Sequence, residues 1–335
     1  MNIGLACDLK DAVPAENNLV TDALEEYDSV ETVEIIKASL ENGGHQVTML
    51  GGGKQFLDGM TAGSNIDIVF NIAEGRGTYR SREAQVPSVL EMLDIPYTGS
   101  DPLTLAVCLD KPLTKKLVKL EGVRTPDWVL VTGTDTIDKI PWTVLKYPSI
   151  VKPAFEGSSK GVHATALVHD GEEARKEVCS QLRDYRQPVL CEEFIDGDEV
   201  TVGIIGNKNP DIVGMMRVLP RKATKHFVYS LEVKRDWQEL VDYECPAELS
   251  QKTLECLRED SLKAYRTLGC RDFSRVDFRI DAQGTPYFIE INPLPGLGTY
   301  SDLIIMALKL GWTHENVIRS VFNAALERYP RLACA

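Results

Sequence analysis

The 335-residue sequence lacks several features that mark particular classes of protein. No apolar run approaches the roughly 18 residues that cross a bilayer, so no transmembrane helix is expected. The formal net charge is −13, whereas non-specific binding to nucleic acid or to anionic membranes requires a cationic surface. We therefore expect no nucleic-acid partner and no membrane partner.

Cysteine pairs with the spacing of a metal site are also missing. The eight cysteines are scattered and form no CxxC motif. Several lie in apolar runs, which favours buried free thiols over a disulfide framework. The segment from Met1 to Asp8 lacks the basic start and long apolar region of an export signal. Together these features predict a cytoplasmic location.

What remains is the composition of an ordinary globular protein, with 43% hydrophobic and 26% charged residues. A chain of this length is expected to form two or three domains. Strand–helix–strand alternation over residues 3–71 predicts a parallel α/β unit, and the strand-rich remainder predicts an α+β region. The glycine triplet 51–53 lacks the full dinucleotide-binding fingerprint, and no strong helix is expected after it. We interpret it as a turn.

The most informative stretch is 274–292, which alternates apolar and polar residues as two strands joined by a tight turn. If Asp281 and Pro286 flank the turn, the antiparallel register follows from simple counting. It predicts two facing pairs, Asp277 with Glu290 and Arg275 with Asn292.

Three oxygen-bearing side chains and one guanidinium would then share a small patch. Carboxylates packed this closely repel each other unless a cation lies between them, and hard oxygen ligands suit Mg²⁺. A solvated hairpin face is the plainer alternative. The convergence of Arg275 on the patch, and the aromatic Phe288 within the polar face, favour a magnesium site that serves phosphate chemistry.

Two upstream segments add to a nucleotide site. The flexible loop 156–161 follows the strand-end Lys152, an arrangement that can cover and neutralise phosphates. It does not match the P-loop, and alone it would be read as a hairpin turn. Lys111 could add a second cation, although a lysine on a helix is usually solvated.

Segment 192–195 offers backbone donors and acceptors to the edge of a purine. Glu199 could accept hydrogen bonds from ribose hydroxyls. A plain surface strand is the simpler interpretation of this segment.

Taken together, these motifs resemble the D-alanine–D-alanine ligases of the ATP-grasp superfamily over nearly the whole chain. The stretches that carry the resemblance are Pro96-Tyr-Thr-Gly-Ser100, Asp110-Lys111, Val151-Lys-Pro-Ala-Phe-Glu-Gly-Ser-Ser159, Glu192 to Val202, Cys245-Pro-Ala247, Leu268-Gly-Cys270, Arg275-Val-Asp277 and Glu290-Ile-Asn-Pro-Leu-Pro-Gly296.

The resemblance implies an ATP-grasp fold, α/β and α+β in class, with an N-terminal parallel α/β domain. The expected domains are an N-terminal substrate domain (1–103), a central ATP-grasp subdomain (104–197) and a C-terminal subdomain with metal site and mobile loop (198–335). The implied enzyme is a homodimer of peptidoglycan, and hence cell-wall, biosynthesis. It uses ATP and two Mg²⁺ ions, with Mn²⁺ as a possible substitute, to phosphorylate one amino acid's carboxylate and join it to the amine of another.

The resemblance also implies a role for each matching residue. Lys111 and Lys152 would contact the ATP phosphates, and Glu192, Glu193, Phe194, Ile195 and Glu199 would surround adenosine. Asp277, Glu290 and Asn292 would hold the metal ions. Arg275 would stabilise the tetrahedral oxyanion, Ser158 would belong to the loop over the reacting groups, and Lys234 would reach the γ-phosphate from a mobile loop. Ser301 would contact the second substrate, and either Glu25 or Glu26 would receive the first substrate's ammonium.

Departures from the family pattern concern the substrate. Glu74 stands in Glu-Gly-Arg-Gly where the dipeptide ligases have a histidine, which makes it a further substrate residue. Arg235 follows Lys234 in place of the usual tyrosine or phenylalanine. Two alternatives therefore stay open beside D-alanine ligation. One is a ligase for other amino acids in a specialised biosynthetic pathway, and the other is a non-catalytic nucleotide-binding protein.

Overall fold

In the part of the chain that the structure describes, three β-sheets follow one another. The computed structural model describes residues 1–12, 20–61, 63 and 65–333. The first sheet is parallel, in the order β2-β1-β3, and consists of β1 (Asn2–Cys7), β2 (Gln46–Gly51) and β3 (Ile68–Ile72). Both β1 and β3 are buried almost throughout, as is typical of parallel strands covered on both faces. The predicted parallel α/β unit is confirmed.

Helices connect and cover this sheet. They are α1 (Val30–Asn42), α2 (Gly53–Thr61) and α3 (Gln85–Met92), followed by α4 (Pro102–Leu109) and α5 (Lys111–Leu120). Ser29 caps α1 by accepting a hydrogen bond from the Thr32 amide at 3.2 Å, and Asp110 caps α5 in the same way. The expectation that no helix follows the glycine triplet is wrong, because α2 begins at Gly53 and buries Phe56 and Met60.

The second sheet is antiparallel, in the order β4-β7-β5-β6. Its elements are β4 (Trp128–Val131), β5 (Ser149–Pro153), β6 (Leu167–Val168), α6 (Gly171–Tyr185) and β7 (Val189–Glu193). The segment before β6 is not extended, because Ala164–Ala166 forms a 3₁₀ turn and only Leu167 and Val168 pair as a strand.

The third sheet has the order β10-β9-β8-β11-β12 and is also antiparallel. The elements of this part are β8 (Asp198–Ile205), β9 (Asp211–Pro220), α7 (Leu231–Arg235), α8 (Trp237–Leu240), β10 (Val241–Glu244), α9 (Gln251–Thr267), β11 (Phe273–Ile280), β12 (Pro286–Asn292), α10 (Asp302–Lys309), α11 (His314–Arg328) and α12 (Pro330–Ala333). Between β9 and α9 the chain forms the short helices α7 and α8 and the short strand β10.

The hairpin β11–β12 has the predicted register where it matters for the site. Arg275 lies opposite Asn292, and Asp277 lies opposite Glu290. On the other side, β11 pairs with β8, so Thr201 also lies beside Asp277. Strand β11 is therefore an interior strand with a hydrogen-bonded neighbour on each side, whereas β12 is the edge strand of this sheet.

Beyond this pair the register of the hairpin shifts by one residue, so Ile280 rather than Asp281 lies opposite Pro286. The predicted turn boundary is wrong by that one residue. A bulge of this kind redirects the side chains that follow it. It turns Phe288 into the core, where it packs edge-on against Phe278 with ring centroids 6.0 Å apart. The bulge explains why an aromatic residue interrupts the polar face.

Helices α10 and α11, near the C-terminus, share a buried core with the first sheet. Leu303 and Ile304 of α10 and Phe322 of α11 belong to the same buried cluster as Leu5 of β1 and Ile36 of α1. The first sheet and the C-terminal helices thus share one core across the predicted ranges 1–103 and 198–335, whose boundaries stay a prediction. No helix in the described part of the chain is long and apolar enough to cross a membrane.

Candidate active site

Two clefts meet at the hairpin. The lysine cleft lies between the second and third sheets, has an empty volume of about 820 Å³, and is lined by Lys111, Lys152, Lys160 and Lys234 among others. The acidic cleft lies between the N-terminal loops, the hairpin and α7, has an empty volume of about 1250 Å³, and is lined by Glu25, Glu26, Asp28 and Glu74 among others. Tyr229, Lys234 and Asp302 line both clefts.

Apart from Lys234, which lines both, the predicted residues divide between the two clefts. The lysine cleft contains the residues predicted for ATP and two of those predicted for metal, namely Lys111, Lys152, Glu192, Glu193, Phe194, Ile195, Glu199, Lys234, Asp277 and Glu290. The acidic cleft contains the residues predicted for the substrates and for attack on the acyl group, namely Glu25, Glu26, Glu74, Ser158, Lys234, Arg275, Asn292 and Ser301.

Arg275 is fixed between two carboxylates. Its Nη2 lies 3.0 Å from Asp277 Oδ2, and its Nη1 lies 3.1 Å from Asp302 Oδ2. The other oxygen of Asp277 accepts a hydrogen bond from the Thr201 hydroxyl at 2.9 Å. A guanidinium held at both ends presents its remaining N–H groups in a fixed direction. Asp302 was not predicted as a site residue, because an acidic residue at the start of a helix usually stabilises only that helix.

Glu290 faces a ring of cations. Its Oε2 lies 3.0 Å from Lys111 Nζ. Burial alone would raise the pKa of Glu290, but Lys111, Lys152 and Arg275 together hold it below its usual range. The carboxylate is therefore ionised, and it is ready to exchange a lysine partner for another cation.

The hairpin patch fits a magnesium ion that is shared with phosphates. In the described part of the chain, no three His, Cys, Asp or Glu side chains are grouped as a metal site of their own. Asp277, Glu290 and Asn292 instead offer two carboxylates and one amide oxygen. Mg²⁺ is commonly held by one or two carboxylates together with substrate phosphates, so this donor set suits it. Burial raises the pKa of Asp277, and the neighbouring Glu290 raises it further, so a divalent cation here would relieve their repulsion.

Glu192 lies between two lysines. Its Oε1 is 2.5 Å from Lys152 Nζ, and its Oε2 is 2.9 Å from Lys115 Nζ. Burial raises the pKa of Glu192, but the two lysines outweigh it and lower the value overall. Both carboxylate oxygens thus lie beside ammonium groups. The contact of Glu192 with adenosine stays a prediction. Lys115 was not among the predicted residues.

The other residues predicted for adenosine surround Arg279. Its guanidinium lies 4.3 Å from the ring centroid of Phe194 and 3.0 Å from Glu199, and it also donates to the Ile195 carbonyl. Burial raises the pKa of Glu199, and Arg279 opposes that rise. Glu193 stands at the rim, 3.4 Å from the exposed Lys146. Arg279 was missed, although its place two residues after Asp277 on the same strand was a usable signal.

The lid, which we define as residues 227–240, covers the junction of the clefts. Its helix α7 is capped by Ser230 and carries Lys234, whose ammonium lies 4.9 Å from the Tyr229 ring centroid. The next residue, Arg235, donates from Nε to Glu25 Oε1 at 3.1 Å. The lid is therefore tied to the N-terminal part of the chain through Glu25, which is one of the two glutamates predicted to receive an ammonium.

Glu26, the other of those glutamates, is also engaged. Both of its oxygens lie 2.7 Å from Arg82 Nη2, and Lys160 Nζ lies 3.1 Å away. It also accepts from the Gly157 amide at 2.6 Å. Although burial opposes it, Arg82 and Lys160 lower the pKa of Glu26 to about 2. Glu26 thus anchors the loop 156–161 to the N-terminal part of the chain.

Glu74 differs from Glu25 and Glu26 in that its carboxyl group has no such partner among the described residues. Within residues 1–12, 20–61, 63 and 65–333, no hydrogen bond or ion pair engages its carboxylate. Residues 13–19 contain no Lys, Arg or His. Burial raises the pKa of Glu74 well above its usual range, and the carboxylates of Glu83 and Glu26 raise it further. Glu74 is a carboxylate at the cleft wall that would gain from a cation.

The remaining predicted residues lie on loops around the acidic cleft. Ser158 occupies a left-handed backbone conformation (φ 49°) in the loop that Glu26 anchors. Ser301 precedes α10, and its hydroxyl accepts from the Gly298 amide at 3.1 Å. Asn292 accepts from the Leu294 amide at 2.9 Å, which fixes its side-chain amide at the end of β12.

This arrangement can be compared with known proteins. A family model described as the D-ala D-ala ligase C-terminus matches residues 117–323. The chain belongs to the D-alanine–D-alanine ligase family. The D-alanine–D-alanine ligase of Aquifex aeolicus is 33% identical over 295 residues, covering 88% of this chain and 94% of that protein. An uncharacterized protein, y4sG, of Sinorhizobium fredii is 32% identical over 305 residues, covering 88% and 87%.

Solved structures of the family have the same fold. The ligase of Bacillus anthracis complexed with ATP superimposes with a TM-score of 0.73 at 25% identity, covering 99% of both chains. The VanG D-Ala:D-Ser ligase of Enterococcus faecalis has the same TM-score at 20% identity and 97% coverage of this chain, which supports the fold alone. The predicted ATP-grasp fold is confirmed.

Two of the departures from the family pattern carry charge. Arg235, which stands where an aromatic residue is usual after the lid lysine, forms the ion pair with Glu25. Glu74, which stands where a histidine is usual, is a carboxyl group to which the described residues offer no hydrogen bond or ion pair. Both departures therefore lie at the acidic cleft.

Proposed function

We propose that this protein is an ATP-dependent carboxylate–amine ligase that joins two D-alanines through an acylphosphate. The observation that carries the proposal is the meeting of the two clefts at Lys234 and Asp302, with Arg275 paired to Asp302 at 3.1 Å. A nucleotide in the lysine cleft would have its terminal phosphate directed to a carboxylate in the acidic cleft. Transfer of a phosphate from ATP to an amino acid requires the two to meet in this way, and the ligase activity of the family fits this arrangement.

Phosphoryl transfer depends on positioning and charge. Lys111, Lys152 and Lys234 line the lysine cleft and would hold the ATP phosphates in line with the acceptor carboxylate. Magnesium bound by Asp277, Glu290 and Asn292 would neutralise phosphate charge during the transfer. When the phosphates engage Lys111, Glu290 would be released from that lysine and become free to bind the metal.

Peptide-bond formation follows when the second amine attacks the acylphosphate carbon. Arg275, held by Asp277 and Asp302, would donate to the oxyanion that develops on that carbon, and phosphate would leave. The lid, with Ser158 on the facing loop, would keep water from the acylphosphate. Ser301, before the start of α10, would contact the carboxylate of the second substrate.

For the first substrate's ammonium we assign Glu74. Glu25 and Glu26 were the predicted alternatives, but Arg235 engages the first and Arg82 and Lys160 engage the second. Glu74 lines the same cleft without such a partner in the described chain. An arriving ammonium would favour its ionised form and supply the missing counter-charge.

A second candidate function is the same ligation chemistry with amino acids other than D-alanine as substrates. It is favoured by Glu74 and Arg235, because both departures from the family pattern face the substrates. The non-catalytic alternative is less well supported, because nucleotide binding alone does not require the fixed guanidinium of Arg275. The homodimer, the cytoplasmic location and the role in cell-wall synthesis stay predictions.

The test is to incubate the protein with Mg-ATP and D-alanine, L-alanine or pairs of other amino acids, following phosphate release and product mass. We expect one phosphate and one dipeptide per turnover with D-alanine, and no sustained release without an amino acid. Turnover confined to pairs without D-alanine would overturn the substrate assignment and keep the ligase. No release with any pair would favour a binding protein.

A further inference from the structure

Helix α5 carries two lysines one turn apart that have different surroundings. Lys111 lines the lysine cleft, whereas Lys115 lies behind it and has no exposed surface. A buried lysine is costly unless its charge is compensated, so its contacts reveal what it serves. Lys119, one turn further on, is half-exposed and pairs with exposed Asp127 at 3.2 Å.

Lys115 connects the helix to both sheets of the cleft. Its ammonium lies 2.9 Å from Glu192 Oε2 on β7 and donates to the Thr125 hydroxyl at 2.8 Å. It also donates to the Phe288 carbonyl on β12 at 3.3 Å. Two of these contacts are hydrogen bonds and the contact with Glu192 is an ion pair. Glu192 lines the lysine cleft, but Lys115 is not among the residues that line it.

The important consequence concerns charge. Lys115, Glu192 and Lys152 form a buried triad in which one carboxylate is shared by two ammonium groups. The triad carries a net charge of plus one, and Lys152 is the member that presents it to the cleft. Without Lys115, Glu192 would neutralise Lys152, and this wall of the cleft would lose its positive charge.

We infer that Lys115 is a positioning residue for the phosphates of the nucleotide, which it serves through Glu192 and Lys152 without touching them. It occupies one oxygen of Glu192, so that Lys152 keeps its positive charge for the ligand. The inference rests on the proposed binding of ATP in the lysine cleft. It also replaces the predicted role of Glu192, which becomes a buried counter-ion instead of a contact for adenosine.

The test uses two ligands that differ only in phosphate. Calorimetry would measure Mg-ADP and adenosine binding to the wild type, to K115M and to the matched control K119M on the same helix. Because a charge-assisted contact is weakened, K115M should bind Mg-ADP about tenfold or more weakly. Its adenosine affinity should stay within about twofold, and K119M should match the wild type for both ligands.

A double variant separates charge from structure. K115M/E192Q removes both members of one ion pair and returns the wall to a net charge of plus one. We expect Mg-ADP affinity to recover most of the loss seen in K115M. If Lys115 were only structural, the double variant would bind no better than K115M, and that result would overturn the inference. Circular dichroism and melting curves would confirm that the compared variants are folded.

The pH dependence gives a second readout. Burial lowers the pKa of Lys115 to about 8, while Glu192 and Glu290 oppose that shift and Lys152 adds to it. Wild-type affinity for Mg-ADP should therefore fall as the pH rises through 8, and K115M should not show this fall. An equal loss of adenosine affinity in K115M would point to Glu192 as an adenosine contact and overturn the inference. Absence of Mg-ADP binding by the wild type would instead overturn the proposed function.

Discussion

The lysine cleft and the acidic cleft are both lined with ionic side chains, but different parts of the fold hold them. The charges of the lysine cleft stand mainly on paired strands and on α5, where register fixes their spacing. Those of the acidic cleft stand mainly on loops and on the lid, joined by ion pairs between distant parts of the chain. In the proposed reaction, the charges for phosphate chemistry would therefore stand on regular structure, whereas those for the substrates would depend on long-range ionic contacts that can change with little effect on the sheets.

The largest effect is expected at the two carboxylates on paired strands that we propose as metal ligands. The double variant D277N/E290Q should lower phosphate release by about a thousandfold or more, the scale of losing charge stabilisation in phosphoryl transfer. Steady-state phosphate release measures it. The control is D242N, on the same sheet but exposed, which should keep full activity. Full activity of the double variant would mean that the metal is bound elsewhere.

The second largest effect is expected on the stability of the protein when an ion pair at the acidic cleft is removed. Arg82 is 2% exposed and engages Glu26 and Glu156, so R82M would leave buried carboxylates without their partner. We expect a loss of about 3–5 kcal/mol in the free energy of unfolding. The matched control, R80M, removes an exposed guanidinium that pairs with Asp110, the residue that caps the start of α5, and it should cost at most about 1 kcal/mol. Urea denaturation would compare them. Equal losses would contradict the claim that buried ion pairs hold this cleft together.

The smallest effect is expected at the lid. The Arg235–Glu25 pair is partly exposed, so R235M should weaken lid closure by no more than about 1 kcal/mol, or roughly fivefold in the KM for the amino acid. Water would reach the acylphosphate more often, so the ratio of phosphate released to dipeptide formed should rise above one. E25Q should give the same change. Unchanged coupling in both variants would show that the pair does not govern closure.

The same comparison explains what the sequence could reveal. That Asp277 lies opposite Glu290 could be predicted, because the position of the turn fixes which residues of an antiparallel hairpin pair with each other. The bulge after Asp277 was not, because nothing in a period-two pattern indicates a one-residue shift. Lys115 was missed because a lysine on an amphipathic helix is normally solvated. Its burial depends on a carboxylate 77 positions later, which no local pattern contains.

The acidic cleft was harder to predict for a related reason. Glu25 and Glu26 line the acidic cleft, but their partners Arg235 and Arg82 lie 210 and 56 residues away along the chain. A local sequence pattern can suggest a carboxylate for an ammonium. It cannot reveal that the protein's own cations already occupy that carboxylate.

The shared core of the first sheet and α11 has a consequence for synthesis on the ribosome. Leu5 and Ile36 emerge early, yet their partner Phe322 is made about 250 residues after β3 is complete. At a translation rate of about 5–20 residues per second, the apolar face of the first sheet would wait roughly 12–50 s for its covering helix. During that interval the nascent chain exposes an aggregation-prone surface, so a molecular chaperone that shields apolar segments would be most useful to this protein before its last two long helices leave the exit tunnel.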